Sequence, residues 1–122
     1  GSSDYYKGSI IAYSNEIKMK LLDVKESTLE KYGAVSEETV IEMVKGALGA
    51  TSTDLCISVS GIAGPGGGSE DKPVGTIWLA CGSKDKITSK QIKLAKDRVK
   101  NIQSSAIHGL DMLRLFVLEE YE

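Results

Sequence analysis

The sequence predicts an α/β sandwich, helices laid over a sheet, and three features predict it. Apolar, β-rich runs occur at residues 8–14, 55–60 and 75–81; helical spacing of apolar residues runs through 36–47 and again from 97 onward; and Gly82-Ser83-Lys84-Asp85 forms a short, polar connection between two strand-like runs. Strands mixed with helices on this scale build a layered sandwich. So short a connection permits only a local antiparallel hairpin, within a sheet otherwise expected to be linked by crossovers.

The elements follow in order. Gly8-Ser9-Ile10-Ile11-Ala12-Tyr13-Ser14 reads as the first strand, and residues 15–22 as a helix with Ile17, Leu21 and Leu22 on one side and Asn15 as its cap. A short helix is expected at 26–32, closed by Gly33, where helices often end in a left-handed residue. Ser36 is a good N-cap for the next helix, Glu37 and Glu38 suit its dipole, and Val40, Met43, Val44 and Ala47 mark its buried face. Residues 49–53 end it, and 55–60 form a strand with Leu55, Ile57 and Val59 on one face. Residues 75–81, which include Trp78, give the next strand; 87–94, with Ile92 and Leu94 alternating against lysines, reads as an edge strand. From Asp97, a candidate cap, a long helix is expected to bury Val99, Ile102, Ala106, Leu110, Leu113 and Val117.

The chain has 122 residues, 41% of them hydrophobic and 26% charged, which suits one globular domain with a core of its own. Its net charge of -2, without a clustered basic footprint or interleaved aromatics, argues against a polynucleotide partner. Cys56 and Cys81 sit in apolar runs without a Cys or His at ligand spacing, which argues against a metal site and a secreted disulfide framework. No apolar run is long enough for a membrane span and no secretory leader is visible, so the expected location is the cytoplasm.

Three segments carry chemistry. In Val59-Ser60-Gly61-Ile62-Ala63-Gly64-Pro65-Gly66-Gly67-Gly68, the glycines let backbone N–H groups approach an anionic ligand; the alternative is a plain flexible connection. The segment is neither a Walker A loop nor a dinucleotide fingerprint, because the required spacing is absent and it leads towards a strand. Ala12-Tyr13-Ser14-Asn15-Glu16-Ile17-Lys18 brings a phenol, a hydroxyl, an amide and an ammonium together at a strand-to-helix turn. A desolvated Lys18 would have a lowered pKa and act as base towards a hydroxyl nucleophile, whereas a solvated one would be an ordinary surface lysine. In Lys96-Asp97-Arg98, Arg98 either forks onto a phosphate or carboxylate or is a surface arginine. His108 stands alone in mid-helix, a surface or interface residue.

Together with Ser3-Asp4-Tyr5-Tyr6-Lys7-Gly8 and Lys31-Tyr32-Gly33-Ala34-Val35-Ser36, the lysine segment and the glycine loop resemble, in order and spacing, the CinA C-terminal domain family. The resemblance spans essentially the whole chain, and the glycine-proline-triple-glycine loop is its most specific part. It implies a three-layer α/β/α sandwich with a mixed, mostly parallel sheet. It also implies an amidohydrolase that converts nicotinamide mononucleotide to nicotinate mononucleotide and ammonia through a serine nucleophile activated by lysine, without metal or organic cofactor. On that resemblance Lys18, Tyr13 and Ser60 are the catalytic candidates, and Asn15, Gly61, Ala63, Gly64, Gly66, Gly67 and Arg98 the substrate-binding ones. Ser60 stands where many members carry threonine, which keeps the hydroxyl.

One departure matters. The family's Glu-Ser-Cys-Thr-Gly-Gly segment, which carries the serine, does not occur in these 122 residues. The expectation is therefore an N-terminally incomplete domain, without the helix-strand-helix that carries the nucleophile, and inactive by itself. The absent strand would lie between 10–14 and 55–60, so the chain is expected to close those two strands together or to assemble with another copy. The competing reading is a non-catalytic nucleotide-binding or assembly module; a competence- or damage-associated interaction domain is suggested by the family's name alone.

Overall fold

The structure is a computed structural model that describes residues 1–121. After a 3-10 turn at Ser2–Asp4 come helices α1 (Asn15–Leu22), α2 (Glu26–Tyr32) and α3 (Glu37–Thr51), strands β1 (Cys56–Gly61), β2 (Thr76–Gly82) and β3 (Ile87–Lys93), and helix α4 (Arg98–Tyr121). The sheet runs in the order β1-β2-β3. Alternation along its central strand makes the layers, because successive strand residues face opposite sides. Ile77, Leu79 and Cys81 meet Met112 and Phe116 of α4, while Ala80, with Trp78 partly buried beside it, meets Val40, Met43 and Val44 of α3. The result is a three-layer α/β/α arrangement with α1 and α2 packed beside α3.

The expected bounds of α1, α2 and the N-cap Ser36 are those observed. The cap of α1, however, is Ser14 rather than Asn15: its hydroxyl accepts from the Ile17 N–H at 3.2 Å. Lys25 brings no capping side chain to α2, and Glu42 of α3 replaces it, accepting from the Lys25 N–H at 2.8 Å and from the Thr28 hydroxyl at 2.5 Å. At the start of α4, Asp97 accepts from the Lys100 N–H at 3.1 Å, the cap the sequence indicates.

Three expectations are corrected. The sheet is not mostly parallel: both of its pairings are antiparallel, Val59 lying opposite Leu79 and Leu79 opposite Lys90. The chain returns from β1 to β2 through the glycine loop, which turns back on itself, whereas a parallel pair needs a long crossover. Residues 8–14 form no strand. They keep strand-like alternation, with Ile10 and Ala12 against the α3-side core and Ile11 (87%) and Tyr13 (89%) exposed. Among the described residues they pair neither with β1 nor with any other strand, so the direct closure of 10–14 onto 55–60 does not occur, and a ladder needs a partner for its N–H and C=O groups.

The third correction concerns α4. The face it buries is Asn101, Ser105, Gly109, Met112 and Phe116, while Ile102 (52%) and Leu110 (64%) are exposed and Val99 with them. Small residues allow α4 to approach the sheet closely: a Cβ on Gly109 would stand 3.3 Å from Ile57 Cγ2. The polar members of this face are satisfied within the fold, since the Ser105 hydroxyl donates to the Asn101 carbonyl at 2.6 Å.

Candidate functional site

Lys18 occupies the first turns of α1 but points inward, 6% exposed. Its Nζ donates to the Ala12 carbonyl at 2.8 Å and to the Tyr13 carbonyl at 3.3 Å. The sharp entry into α1, fixed by the Ser14 cap, turns these two carbonyls back over the helix. Burial pushes the Lys18 pKa below the ordinary lysine value, because an ammonium loses hydration there. The third N–H of the ammonium is left for another group. A buried lysine of lowered pKa, oriented by two carbonyls, is suited to take a proton from a hydroxyl placed against it.

The glycine loop leaves β1 at Gly61 and re-enters the sheet at Thr76. Its base is a narrow neck: Ile62 N–H donates to the Thr76 carbonyl at 3.0 Å and Gly75 N–H returns to the Ile62 carbonyl at 2.7 Å. Gly75 sits at φ 94°, where a Cβ would stand 2.3 Å from the Leu94 carbonyl oxygen, so glycine is required. α4 braces the loop from one side: Arg98 Nη1 donates to the Gly64 carbonyl at 2.8 Å, and Asn101 Nδ2 to the Ala63 carbonyl at 3.0 Å. From the other side Lys72 Nζ ties it to the Tyr32 carbonyl at the end of α2, at 2.5 Å. Ser60, at the end of β1, donates its hydroxyl to the Ala34 carbonyl at 2.8 Å and so fixes the turn between α2 and α3.

The structure thus brings Gly61, Ala63, Gly64 and Arg98 into one cluster and joins Ser60 to residues 33–36. Arg98 stays exposed, and among the described residues its guanidinium, a fork whose geometry matches a carboxylate or phosphate, makes no other hydrogen bond. Gly66 and Gly67 lie further out on the exposed part of the loop. Lys18 bonds to neither group, although Ala12 beneath it and Ala34 beneath Ser60 pack on the same core cluster. Tyr13 serves Lys18 through its carbonyl while its ring faces outward, and Asn15 is an exposed residue of the first turn of α1. The residue that the sequence reading missed is Asn101, 1% exposed, whose amide also donates to the Ala95 carbonyl at 2.8 Å. Its signal was the small-residue register Asn101, Ser105 and Gly109, one face over from the apolar stripe.

The class defined by fold and geometry is an α/β/α domain that sets a buried lysine at the entry to α1 and braces a glycine loop from α4 through Arg98 and Asn101. The sequence pattern of the CinA C-terminal domain matches residues 1–117, and the chain belongs to that family. A CinA-like protein of Colwellia psychrerythraea is 48% identical over 116 residues, covering 95% of this chain and 27% of the relative. The chain therefore spans about a quarter of the length of the curated relatives it matches. Among solved structures, the competence damage-inducible protein A of Klebsiella pneumoniae superposes with a TM-score of 0.84 at 33% identity, covering 91% of this chain and 68% of that one. A competence-damaged protein (CinA) superfamily member from Enterobacter cloacae gives 0.87 at 28% identity, covering 92% and 66%.

Proposed function

We propose that this chain is the base- and loop-bearing part of an amidohydrolase that converts nicotinamide mononucleotide to nicotinate mononucleotide and ammonia. The observation that carries the reading is Lys18, buried, held by two carbonyls and lowered in pKa. In the proposed reaction a serine hydroxyl, supplied from outside these 122 residues, attacks the carboxamide carbon while neutral Lys18 takes its proton. The tetrahedral oxyanion collapses as Lys18 returns that proton to the leaving nitrogen, and ammonia departs. Water then attacks the acyl-serine ester, giving nicotinate mononucleotide and the free serine. The glycine loop and Arg98 are proposed to hold the nucleotide phosphate.

The test compares ammonia release from nicotinamide mononucleotide by this chain and by a longer polypeptide that carries the Glu-Ser-Cys-Thr-Gly-Gly segment. Release by the longer form alone, lost in its Lys18→Ala variant, is the expected result. Full activity in that variant removes Lys18 from the mechanism. A second reading, a nucleotide-binding module without catalysis, rests on the glycine loop and Arg98, which are placed to hold an anionic group whether or not an amide is cleaved. Nucleotide binding by the longer form without ammonia release would establish it.

A further inference from the structure

Gly64 lies buried at the first turn of the glycine loop, and among the described residues its N–H has no partner within the chain. Backbone donors are nearly always paired, with protein, water or a ligand, so a Gly64 N–H without a partner in the chain stays available to donate outside it. What turns it outward is on α4. The Ala63 carbonyl accepts from Asn101 and the Gly64 carbonyl from Arg98, so both oxygens face the helix. The Ala63–Gly64 peptide is trans, and a trans peptide points its N–H opposite to its C=O. The Gly64 N–H is therefore aimed away from α4.

We infer that Asn101 is a positioning residue, which locks the Ala63–Gly64 peptide so that the Gly64 N–H donates to an anionic oxygen of the ligand. The inference rests on the proposed small-molecule site, but not on amide hydrolysis. Asn101 suits the task because its one Nδ2 bridges two loops, Ala63 after β1 and Ala95 before α4, from a place that solvent does not reach. The neck at Ile62 fixes the residue before it, and Gly64 itself admits no side chain, since at φ 95° a Cβ would stand 2.6 Å from Val74 Cγ1. The peptide consequently has one orientation while the amide holds it. The anionic oxygen belongs either to a phosphate or to a carboxyl-type group at the reacting end of the nucleotide.

The experiment follows the Gly64 amide resonance of this chain by NMR as inorganic phosphate, nicotinate or nicotinamide mononucleotide is added. A shift with phosphate assigns the first source, and a shift with nicotinate the second. In Asn101→Asp, whose carboxylate cannot donate to either carbonyl, the shift is expected to vanish or the Kd to rise at least about tenfold, the loss of one hydrogen bond. Residues 62–68 should gain fast motion while the sheet and α4 keep their order, and Asn101→Gln should restore part of the affinity. No Gly64 shift with any of the three probes, or unchanged affinity in Asn101→Asp, overturns the inference. If Asn101→Asp does not fold, the native protein decides: slow exchange of the Asn101 side-chain amide protons together with a probe-dependent Gly64 shift supports the role, and fast exchange refutes it. Should phosphate shift Gly64 while nicotinamide mononucleotide is never hydrolysed by the longer polypeptide, the amidase reading fails and the positioning role stands.

Discussion

Gly46 and Gly49 lie one turn apart in α3, and replacing each by alanine should have opposite effects. Helix propensity alone favours alanine by about 1 kcal/mol at both. At Gly49 nothing stands within 4 Å of the added Cβ, so Gly49→Ala should stabilise by about 0.5–1 kcal/mol. At Gly46 the Cβ would lie 1.8 Å from the carbonyl oxygen and 2.4 Å from the carbonyl carbon of Leu22, the last residue of α1. Backbone cannot swing aside as a side chain can, so the cost falls at or above the upper end of the ~1–3 kcal/mol usual for overpacking. Setting about 3 against 1 leaves Gly46→Ala about 2 kcal/mol less stable, a fall in Tm of roughly 8 °C for a domain of this size. The α1–α3 contact also carries Lys18, whose carbonyl accepts from Val24 N–H at 3.2 Å, so the site loosens with it. Urea and thermal unfolding of the two variants beside the native chain provide the assay. A Gly46→Ala variant as stable as the native protein refutes the packing argument.

Other predictions are independent of this one. Because the folded state lowers the Lys18 pKa, the unfolded chain binds more protons between that pKa and the ordinary lysine value. Stability should therefore rise with pH across that window and level off above it; in Lys18→Met this contribution disappears from urea unfolding followed against pH. Ser60→Ala removes the bond to the Ala34 carbonyl and should cost about 1 kcal/mol, read by the same assay. Among the described residues the outer edge of β1 is unpaired, and Val59 beside it is exposed together with Ile102 and Leu110 of α4. This chain should accordingly self-associate, with light scattering giving a mass above that of one copy and Ile102→Glu with Leu110→Glu lowering it; a monomer at every concentration contradicts this.

Local signals in the sequence matched the structure where local physics decides. Ser36 and the acidic pair after it start α3, the 26–32 helix ends at Gly33, and Gly82-Ser83-Lys84-Asp85 turns an antiparallel hairpin between β2 and β3. Where a long-range partner decides, the reading failed. Residues 8–14 have the alternation of a strand, but pairing is a property of two segments and no neighbour receives them. The apolar stripe of α4 is a better hydrophobic face than the one it buries; close approach at Gly109 and the bonds available to Asn101 outweigh it. At the site, the burial of Lys18 could not be read from its neighbours in sequence, since it depends on Ala12 and Tyr13 folding back over α1. The bracing of the loop by Arg98 and Asn101 joins residues more than thirty positions apart.

The reading of the site turns on whether Lys18 can be a neutral amine when a hydroxyl approaches it. A titration of the lysine side-chain resonances of this chain measures that directly. The Lys18 midpoint should fall clearly below the ordinary lysine value. A Lys18 midpoint at the ordinary lysine value would contradict the account, leaving a charged lysine that serves only to hold the entry to α1.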